Sequence, residues 1–342
     1  MNDDLEAALI DLFSAKDVDL RAYAKKWFHG DVENEERIAL DLIFVESGKN
    51  SLAYSIQLNN LASVLQKLGR YAEAEGLYRQ ALDIHRETIG DAHPYYASQL
   101  NNLANVVRAQ GRYPEAEGLF RQALDIGRKT IGDAHPDYAT RLNNLANVVQ
   151  EQGRYPEAEG LYLQAMDIDR KTIGDAHPDY AIDLNNLANV VQAQGRYPEA
   201  EALYKQALDI GRKTIGEAHP DFATHLNNLA AVVRAQGRYG EAEALYKQAL
   251  DIGRKTIGEA HPNYATRLNN LAGVVEAQGR YPEAEGLYRQ AITILRDRLG
   301  DGHPNTKSGI GNLIILLYSH NPTAPDLPEL RALRDAPVPS NP

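Results

Sequence analysis

Apolar residues recur along the chain at helical spacing, in stripes that are separated by short polar turns. Two stripes lie between His135 and Gly174, on either side of a turn at Gly153. The first stripe, with the spacing i, i+3, i+4 and i+7, consists of Leu142, Leu145, Ala146 and Val149. The second stripe consists of Ala158, Leu161, Tyr162, Ala165 and Met166. Each stripe fits one face of a helix, and nothing alternates with the period of two that strands need, so the pattern predicts helices only.

The helix pair recurs along the chain with a period of 42 residues. The pair Asn-Asn begins at residues 59, 101, 143, 185, 227 and 269, and the triplet Gly-Arg-Tyr and the pair His-Pro keep the same step. A fixed period between about 20 and 50 residues is typical of solenoids, in which each unit packs on its neighbours. We therefore expect an all-α fold, an α-solenoid of six full antiparallel helix pairs with capping helices at both ends.

The repeat resembles the tetratricopeptide repeat, and specifically the 42-residue variant of kinesin light chains and their prokaryotic relatives. The residues that carry the resemblance are Leu145, Ala146, Val149, Ala158, Tyr162 and Ala165, within the phrases LNNLA, GRYPEAE, LYKQALDI and IGDAHPDYA. The resemblance covers about residues 52–319 and implies a right-handed superhelix whose concave groove holds a peptide. Kinesin light chains place a long coiled coil before the repeats, whereas about 50 residues without heptads precede them here. The resemblance therefore implies the domain type and not attachment to a motor.

The two ends of the chain differ from the repeats. We expect residues 1–50 to be a helical cap or degenerate repeat, residues 51–303 to hold the six repeats, residues 304–320 to form a capping helix, and residues 321–342 to be a Pro-rich tail. Residues 39–42 lie one period before the similar residues 81–84, which favours a degenerate repeat over a separate docking domain. The tail holds six prolines and is expected to be mostly extended or disordered. The alternative is one amphipathic turn, formed by Leu327, Leu330 and Leu333, that docks on a partner or folds back on the groove.

Three rows of residues lie beside the buried stripe of the first helices, on what we call the groove face. The first row consists of Asn59, Asn101, Asn143, Asn185, Asn227 and Asn269. The second row consists of Ser63, Asn105, Asn147, Asn189, Ala231 and Gly273. The third row consists of Gln66, Arg108, Gln150, Gln192, Arg234 and Glu276. In tetratricopeptide arrays the matching positions line the peptide groove, and an asparagine amide both donates and accepts hydrogen bonds, as a peptide backbone requires.

These rows give the candidate peptide-binding residues. They are Asn101, Asn105, Arg108, Asn143, Asn147, Gln150, Asn185, Asn189, Gln192, Asn227, Arg234 and Asn269. The adjacent asparagines, Asn60 and its equivalents, point toward the neighbouring repeat and are expected to hold the stack together. The copies also differ from one another mainly at positions expected to face or flank the groove, which favours binding there. The basic members of this set are Lys67, Arg108, Arg141, His225, Arg234 and Arg267, against Glu151, Asp183 and Glu276, so we expect an acidic peptide as partner.

The composition and motifs of the chain exclude or disfavour several kinds of functional site. The chain has no cysteine, which excludes disulfides, zinc-thiolate sites and thiol catalysis, and its net charge of −11 disfavours nucleic acid and anionic membranes as partners. Six equivalent His-Pro pairs, one helix-packing distance apart, are too far from one another to share a metal ion, so we interpret the histidines as turn residues that pack between repeats. The recurring acids, such as Glu157 and Glu159, fall in first helical turns, where the helix dipole explains them. Phosphate-binding, nucleophile-elbow and zinc-protease motifs are absent, and we expect no enzymatic activity, cofactor or metal.

The sequence therefore predicts a non-enzymatic scaffold or adaptor that binds a peptide segment. The absence of a basic, apolar leader and of any long apolar run leads us to expect a cytoplasmic protein. Two alternatives remain open. In the first, the array is a regulatory subunit that controls a partner protease or ATPase through residues 1–50 or its outer surface. In the second, it self-associates end to end through imperfect caps.

Overall fold

The computed structural model describes residues 32–336, which form fifteen helices and no strand. The helices are α1 (Val32–Ser47), α2 (Leu52–Lys67), α3 (Tyr71–Thr88), α4 (Pro94–Ala109), α5 (Tyr113–Thr130), α6 (Pro136–Glu151), α7 (Tyr155–Thr172), α8 (Pro178–Ala193), α9 (Tyr197–Thr214), α10 (Pro220–Ala235), α11 (Tyr239–Thr256), α12 (Pro262–Ala277), α13 (Tyr281–Leu299), α14 (Pro304–His320) and α15 (Leu327–Asp335). The predicted all-α class and the helix pairing are confirmed. The expectations for residues 1–31 and 337–342 fall outside the described residues.

The chain divides into two compact units, residues 1–168 and 169–342. In the described part of the first unit, helices α1 to α6 each pack against the next helix in the chain. In the second unit, helices α8 to α15 do the same. Packing between chain neighbours is the arrangement that the repeat period predicts for a solenoid. None of the helices between Val32 and Asp335 is both long and apolar enough to cross a membrane.

The predicted apolar stripes form the core of each helix pair. Leu142, Leu145 and Val149 of α6 are fully or almost fully buried. Ala158 and Ala165 of α7 are also completely buried, because an alanine lets two helix backbones approach closely. The stripe spacing therefore predicted the core residues of the repeat correctly.

The two turns of each repeat depend on glycine and histidine. The turn between α6 and α7 contains Gly153, whose φ of 77° is accessible to glycine without steric cost. At the start of α6, the Nδ1 atom of His135 accepts a hydrogen bond of 3.1 Å from the backbone N–H of Asp137, while Pro136 occupies the first turn. The same cap recurs at His93, His177, His219, His261 and His303. The histidines are turn residues as predicted, but they cap helices rather than pack between repeats.

The Gly-Arg-Tyr-Pro-Glu phrase links neighbouring repeats through ion pairs. The guanidinium of Arg154 donates to Glu117 of the preceding repeat at 2.6 Å and to Glu157 of its own repeat at 2.9 Å, while Gln152 also donates to Glu117. Arg112, Arg238 and Arg280 repeat this pattern. The interpretation of these acids as helix-dipole residues was therefore incomplete, because they also bond the arginine that precedes each second helix.

A second set of contacts fills the seams between each second helix and the first helix that follows it. The guanidinium of Arg267 lies over Gly253, and that of Arg141 lies over Gly127. A side chain on either glycine would collide with the guanidinium above it. At the last seam the sizes are reversed, since Leu295 packs against Gly309. The two residues of every pair are 14 positions apart, and the remaining pairs in contact are Asp169 with Asp183 and Gly211 with His225. These five seams thus contain four different pairs of residues, although the surrounding repeats are nearly identical.

Both ends of the described chain continue the repeat pattern. Helix α1 occupies the position of a second helix, because Glu33 accepts from Arg70 at 2.6 Å as Glu75 accepts from Arg112. This contact supports the degenerate repeat for residues 32–47. Helix α14 buries the stripe that was predicted for the capping helix, including Ile310.

The tail was expected to be mostly extended, and this was wrong for its first part. Leu327 and Leu330 of α15 are 4 % and 8 % exposed, and α15 packs against α14. Pro328 lies in the first turn of α15, where the missing N–H costs nothing. The tail therefore adds a final helix. The leucine spacing indicated its amphipathic turn, but this turn packs on α14, which was not expected.

Candidate functional site

The first row of the groove face takes part in a ladder of asparagines. The Nδ2 atom of Asn144 donates to the Oδ1 atom of Asn101 at 3.0 Å, and Asn270 donates to Asn227 at 3.0 Å. The same bond joins Asn102 to Asn59, Asn228 to Asn185, and Asn312 to Asn269. The expected stacking role of the second asparagine of each pair agrees with these bonds. The bonds also occupy the amide oxygens of five first-row residues, Asn59, Asn101, Asn185, Asn227 and Asn269.

The first-row residues do not all reach the surface. Asn101, Asn143, Asn227 and Asn269 are half-buried. Asn185 is only 6 % exposed, and its Nδ2 atom lies 2.6 Å from both the Ala181 carbonyl oxygen and the Nδ1 atom of His225. This burial leaves Asn185 unable to contact a peptide, and it is the one candidate that we remove from the set.

The second and third rows are held by tyrosines of the second helices. The Tyr162 hydroxyl donates to the Oδ1 atom of Asn147 at 2.7 Å and approaches the Oε1 atom of Gln150 at 3.2 Å. Tyr204 contacts Asn189 and Gln192 in the same way. Burial raises the pKa of Tyr162, so its hydroxyl keeps the proton that it donates.

The orientation of the amides determines the chemistry of the surface. Because tyrosine hydroxyls and neighbouring asparagines bond the amide oxygens, the NH₂ groups of Asn147, Gln150, Asn189 and Gln192 are the parts that remain for a partner. The sequence led us to expect that these amides would both donate to and accept from a peptide, but only their donor groups are available. The groove face offers mainly hydrogen-bond donors, which fit peptide carbonyls and carboxylates.

A cavity opens on this face between α2 and α4. It has a volume of about 300 Å³ and is lined by Ser63, Gln66, Lys67, Tyr71, Asn105, Arg108 and Ala109. Lys67 is exposed, and the guanidinium of Arg108 forms a long ion pair of 4.0 Å with Glu151. Two cations and two amide side chains therefore converge on a concave site, which is an arrangement suited to an anionic group.

Arg234, in the second unit, occupies a different setting. Its Nη1 atom lies over Gly273 of the next repeat, 2.7 Å from where a side chain would begin, so glycine makes room for it. The nearby carboxylate of Glu276 accepts from the Tyr288 hydroxyl at 2.9 Å. Arg234 itself is exposed, and it supplies a positive charge to the groove face there.

Four charged residues that were expected to face or flank the groove are buried instead. Arg141, Asp183, His225 and Arg267 are between 3 % and 6 % exposed, and they fill the seams described above. The expectation failed because the side of a helix that flanks the groove also meets the adjacent repeat. The basic residues that remain on the groove face are Lys67, Arg108 and Arg234.

The described residues hold no cluster of three or more histidine and carboxylate side chains that would fit a metal ion. The histidines at the helix starts each use Nδ1 for a cap. The site is therefore a surface of hydrogen-bond donors and positive charge, built on tandem helix pairs.

Tandem antiparallel helix pairs with a donor-lined face define a repeat protein of the interaction-scaffold class. The sequence matches the tetratricopeptide repeat family at residues 54–129, 97–171, 137–213 and 221–297. These segments cover more than half of the chain, and the chain therefore belongs to the tetratricopeptide repeat family. No curated protein matches it significantly.

Solved structures confirm the resemblance to kinesin light chain-like repeats. One is a protein from Podosopora anserina with nearly identical TPR-like repeats, described as a kinesin light chain and solved as a single-residue variant. It is 30% identical over 60% of this chain and 97% of that chain, with a TM-score of 0.51. Another is BtubC (BKLC) from P. vanneervenii, which is 27% identical over 69% of this chain and 91% of that chain, with a TM-score of 0.53.

Proposed function

We propose that this protein is a non-enzymatic scaffold that binds an acidic peptide segment of a partner protein on its groove face. The family and its kinesin light chain-like neighbours support a role in protein–protein interaction. The observation that carries the acidic preference is the cavity where Lys67 and Arg108 converge beside Asn105. The chain as a whole has a net charge of −11, so the positive charge of the cavity is opposite in sign to that of the whole chain.

The amides supply the second part of the interaction. With their oxygens bonded inside the protein, Asn147, Gln150, Asn189 and Gln192 present NH₂ donors to peptide carbonyls, and they do so whatever side chains the peptide carries. The cations then select carboxylates among the peptides that fit. Electrostatic selection of this kind is screened by salt.

A selection from a random peptide library displayed on phage tests this proposal. The bait proteins are the wild type, a Lys67→Gln/Arg108→Gln variant, and a Lys213→Gln/Lys255→Gln control that removes the same charge from exposed lysines of second helices. We expect wild type and control to enrich peptides rich in Asp and Glu, and the groove variant to lose this enrichment. The enrichment should also weaken at about 0.5 M salt.

Two results would contradict the proposal. One is selection by the wild type of peptides without an excess of acidic residues. The other is acidic enrichment that the groove variant retains while the control loses it, which would place the binding surface on the second helices.

A further inference from the structure

The second and third rows of the groove face do not end with the sixth repeat. One period after Gly273 and Glu276, the capping helix α14 carries Ile315 and Tyr318 at the same two positions. Ile315 is 62 % exposed and Tyr318 is 43 % exposed. The two rows, which are polar or small in all six repeats, therefore end in an exposed apolar pair.

The position of this pair corresponds to that of the cavity in the first unit. Five periods separate Asn105 from Ile315, Arg108 from Tyr318, and Tyr71 from Tyr281. The wall of the cavity that Asn105 and Arg108 form thus has an apolar counterpart at the last seam. Tyr281 stacks on His320 there, with ring centroids 3.2 Å apart, which adds a further ring system to α14 and α13.

A positive charge lies beside the apolar pair. The guanidinium of Arg331 in α15 is 4.5 Å from the ring centroid of Tyr318. Arg331 forms no ion pair with any of the described residues, although, together with the hydrogen bond from Arg334, its charge helps to lower the pKa of Asp335. An exposed apolar surface with a cation at its edge fits a segment that places a carboxylate next to an apolar side chain.

The size of the surface distinguishes between two kinds of occupant. Ile315 and Tyr318 together expose roughly 200 Å² if each side chain has on the order of 200 Å² in full. A stable complex between two folded proteins buries about 800 Å² on each partner, so the pair is too small to hold a second copy of this chain. It is large enough for one side chain of a short peptide.

We propose that Ile315 and Tyr318 form an apolar subsite that takes an aliphatic or aromatic side chain from a peptide segment of a partner protein, next to a carboxylate that pairs with Arg331. This inference rests on the proposed function, because it names a second recognition element for the same class of partner.

Four short peptides test the subsite. They are identical except for the central residue, Leu or Ser, and the residues that flank it, all Glu or all Gln. Their affinities are measured by fluorescence anisotropy for the wild type, for Ile315→Asn/Tyr318→Gln, for Arg331→Gln, and for a Leu163→Asn/Ile182→Asn control that removes exposed apolar side chains elsewhere. The first variant restores the amide residues that occupy these rows in other repeats, and both of its positions are exposed, so folding should be unaffected.

We expect the Leu peptides to bind the wild type and the Leu163→Asn/Ile182→Asn control about tenfold or more tighter than the Ser peptides, because the leucine is buried on binding. The Ile315→Asn/Tyr318→Gln variant should lose this preference and keep the preference for Glu flanks. The Arg331→Gln variant should keep the leucine preference and lose most of the preference for Glu flanks, because Arg331 is the cation beside the apolar pair.

Other results would contradict the apolar subsite, the acidic preference or the proposed occupant, each in a recognisable way. Equal affinities for Leu and Ser peptides, or a leucine preference that survives in Ile315→Asn/Tyr318→Gln, would overturn the subsite and leave the acidic preference standing. A leucine preference without any effect of the flanks would overturn the acidic preference alone. A dimer in sedimentation experiments that Ile315→Asn/Tyr318→Gln converts to monomer would assign the surface to a second copy, and tighter peptide binding after deletion of residues 337–342 would assign it to the end of this chain.

Discussion

The seam between α11 and α12 offers a direct test of pairwise packing between repeats. Arg267 is 4 % exposed, and its Nη1 atom lies 2.5 Å from where a side chain on Gly253 would begin. At the last seam the equivalent residues are Leu295 and Gly309, so the chain itself contains the exchanged pair. The perturbation is therefore Gly253→Leu, Arg267→Gly and the two changes together. The double variant places at this seam the Leu/Gly pair that the last seam already contains.

The structure sets the expected magnitudes. Gly253→Leu should destabilise the seam by about 1–3 kcal/mol, because the leucine has to displace a buried guanidinium whose Nη2 atom contacts the Thr224 hydroxyl and the Pro220 carbonyl. Arg267→Gly should cost at least about 1 kcal/mol, from the helix propensity of glycine together with the space left empty. In the double variant the leucine fills that space, so we expect a favourable coupling of about 1–3 kcal/mol.

Hydrogen exchange measured by mass spectrometry suits this test, since repeat arrays unfold locally and a single melting temperature averages over seams. Peptides from α11 and α12 report on the perturbed seam, and peptides from α2 and α3 provide an internal reference. The control combines Gly253→Leu with Arg141→Gly, which belongs to another seam, and its effects should be additive within about 0.5 kcal/mol. Additive effects in the Gly253/Arg267 pair as well would refute the idea of seam-specific complementarity.

Three further predictions concern stability. Hydrogen bonds from Lys247, Gln278 and Arg280 lower the pKa of Glu243 to about 2 despite its burial. The stability that Glu243 contributes is therefore fully present above the ordinary carboxylate pKa and is lost as pH falls toward 2. The melting temperature of Glu243→Gln should therefore drop less than that of the wild type between about pH 5 and pH 3. His135→Ala should cost about 1 kcal/mol through loss of the helix cap, while His135→Asn should retain most of it, as thermal denaturation would show. Tyr162→Phe should cost about 1 kcal/mol or less, since Phe120 occupies the equivalent position; a larger loss in urea denaturation would contradict this.

Periodicity was sufficient to predict the core because burial within a helix pair depends on spacing alone. Leu145 and Tyr162 are buried where a single helical wheel places them, and Gly153 ends a helix for a local steric reason. The helix in the tail was not predicted, because composition was given more weight than the position of each proline. Its prolines were counted as helix breakers, although Pro328 falls in the one turn where proline is tolerated.

The orientation of the groove amides could not be predicted from the rows themselves. It depends on the tyrosine hydroxyl that arrives from the second helix, 15 residues after Asn147 and 12 residues after Gln150. A wheel drawn for one helix contains no information about a donor on another helix. The spacing between the amide rows and the tyrosines is constant along the sequence, but only packing shows that the two groups meet.

The differences among the repeat copies have to be interpreted in two parts. Some variable positions are buried at seams, where a change such as Gly127 to Asp169 is matched 14 residues later by a change from Arg141 to Asp183. Variation of this kind reflects compensation between neighbours, and it carries no information about a partner. The sequence did contain a signal for it, because a glycine precedes each of the two seam arginines by the same interval.

Once the seam residues are removed, the variation on the groove face is concentrated in the second and third rows. Asn189 is replaced by Ala231 and then Gly273, and Gln192 is replaced by Arg234. The same two rows line the cavity at Asn105 and Arg108, and the same two rows become apolar on α14. The first row is asparagine in all six repeats, and the oxygens of five of its members bond the next repeat, which links the invariance of this row to assembly. Selectivity for a partner should therefore depend on the second and third rows, and substitutions in the first row should change stability before they change specificity.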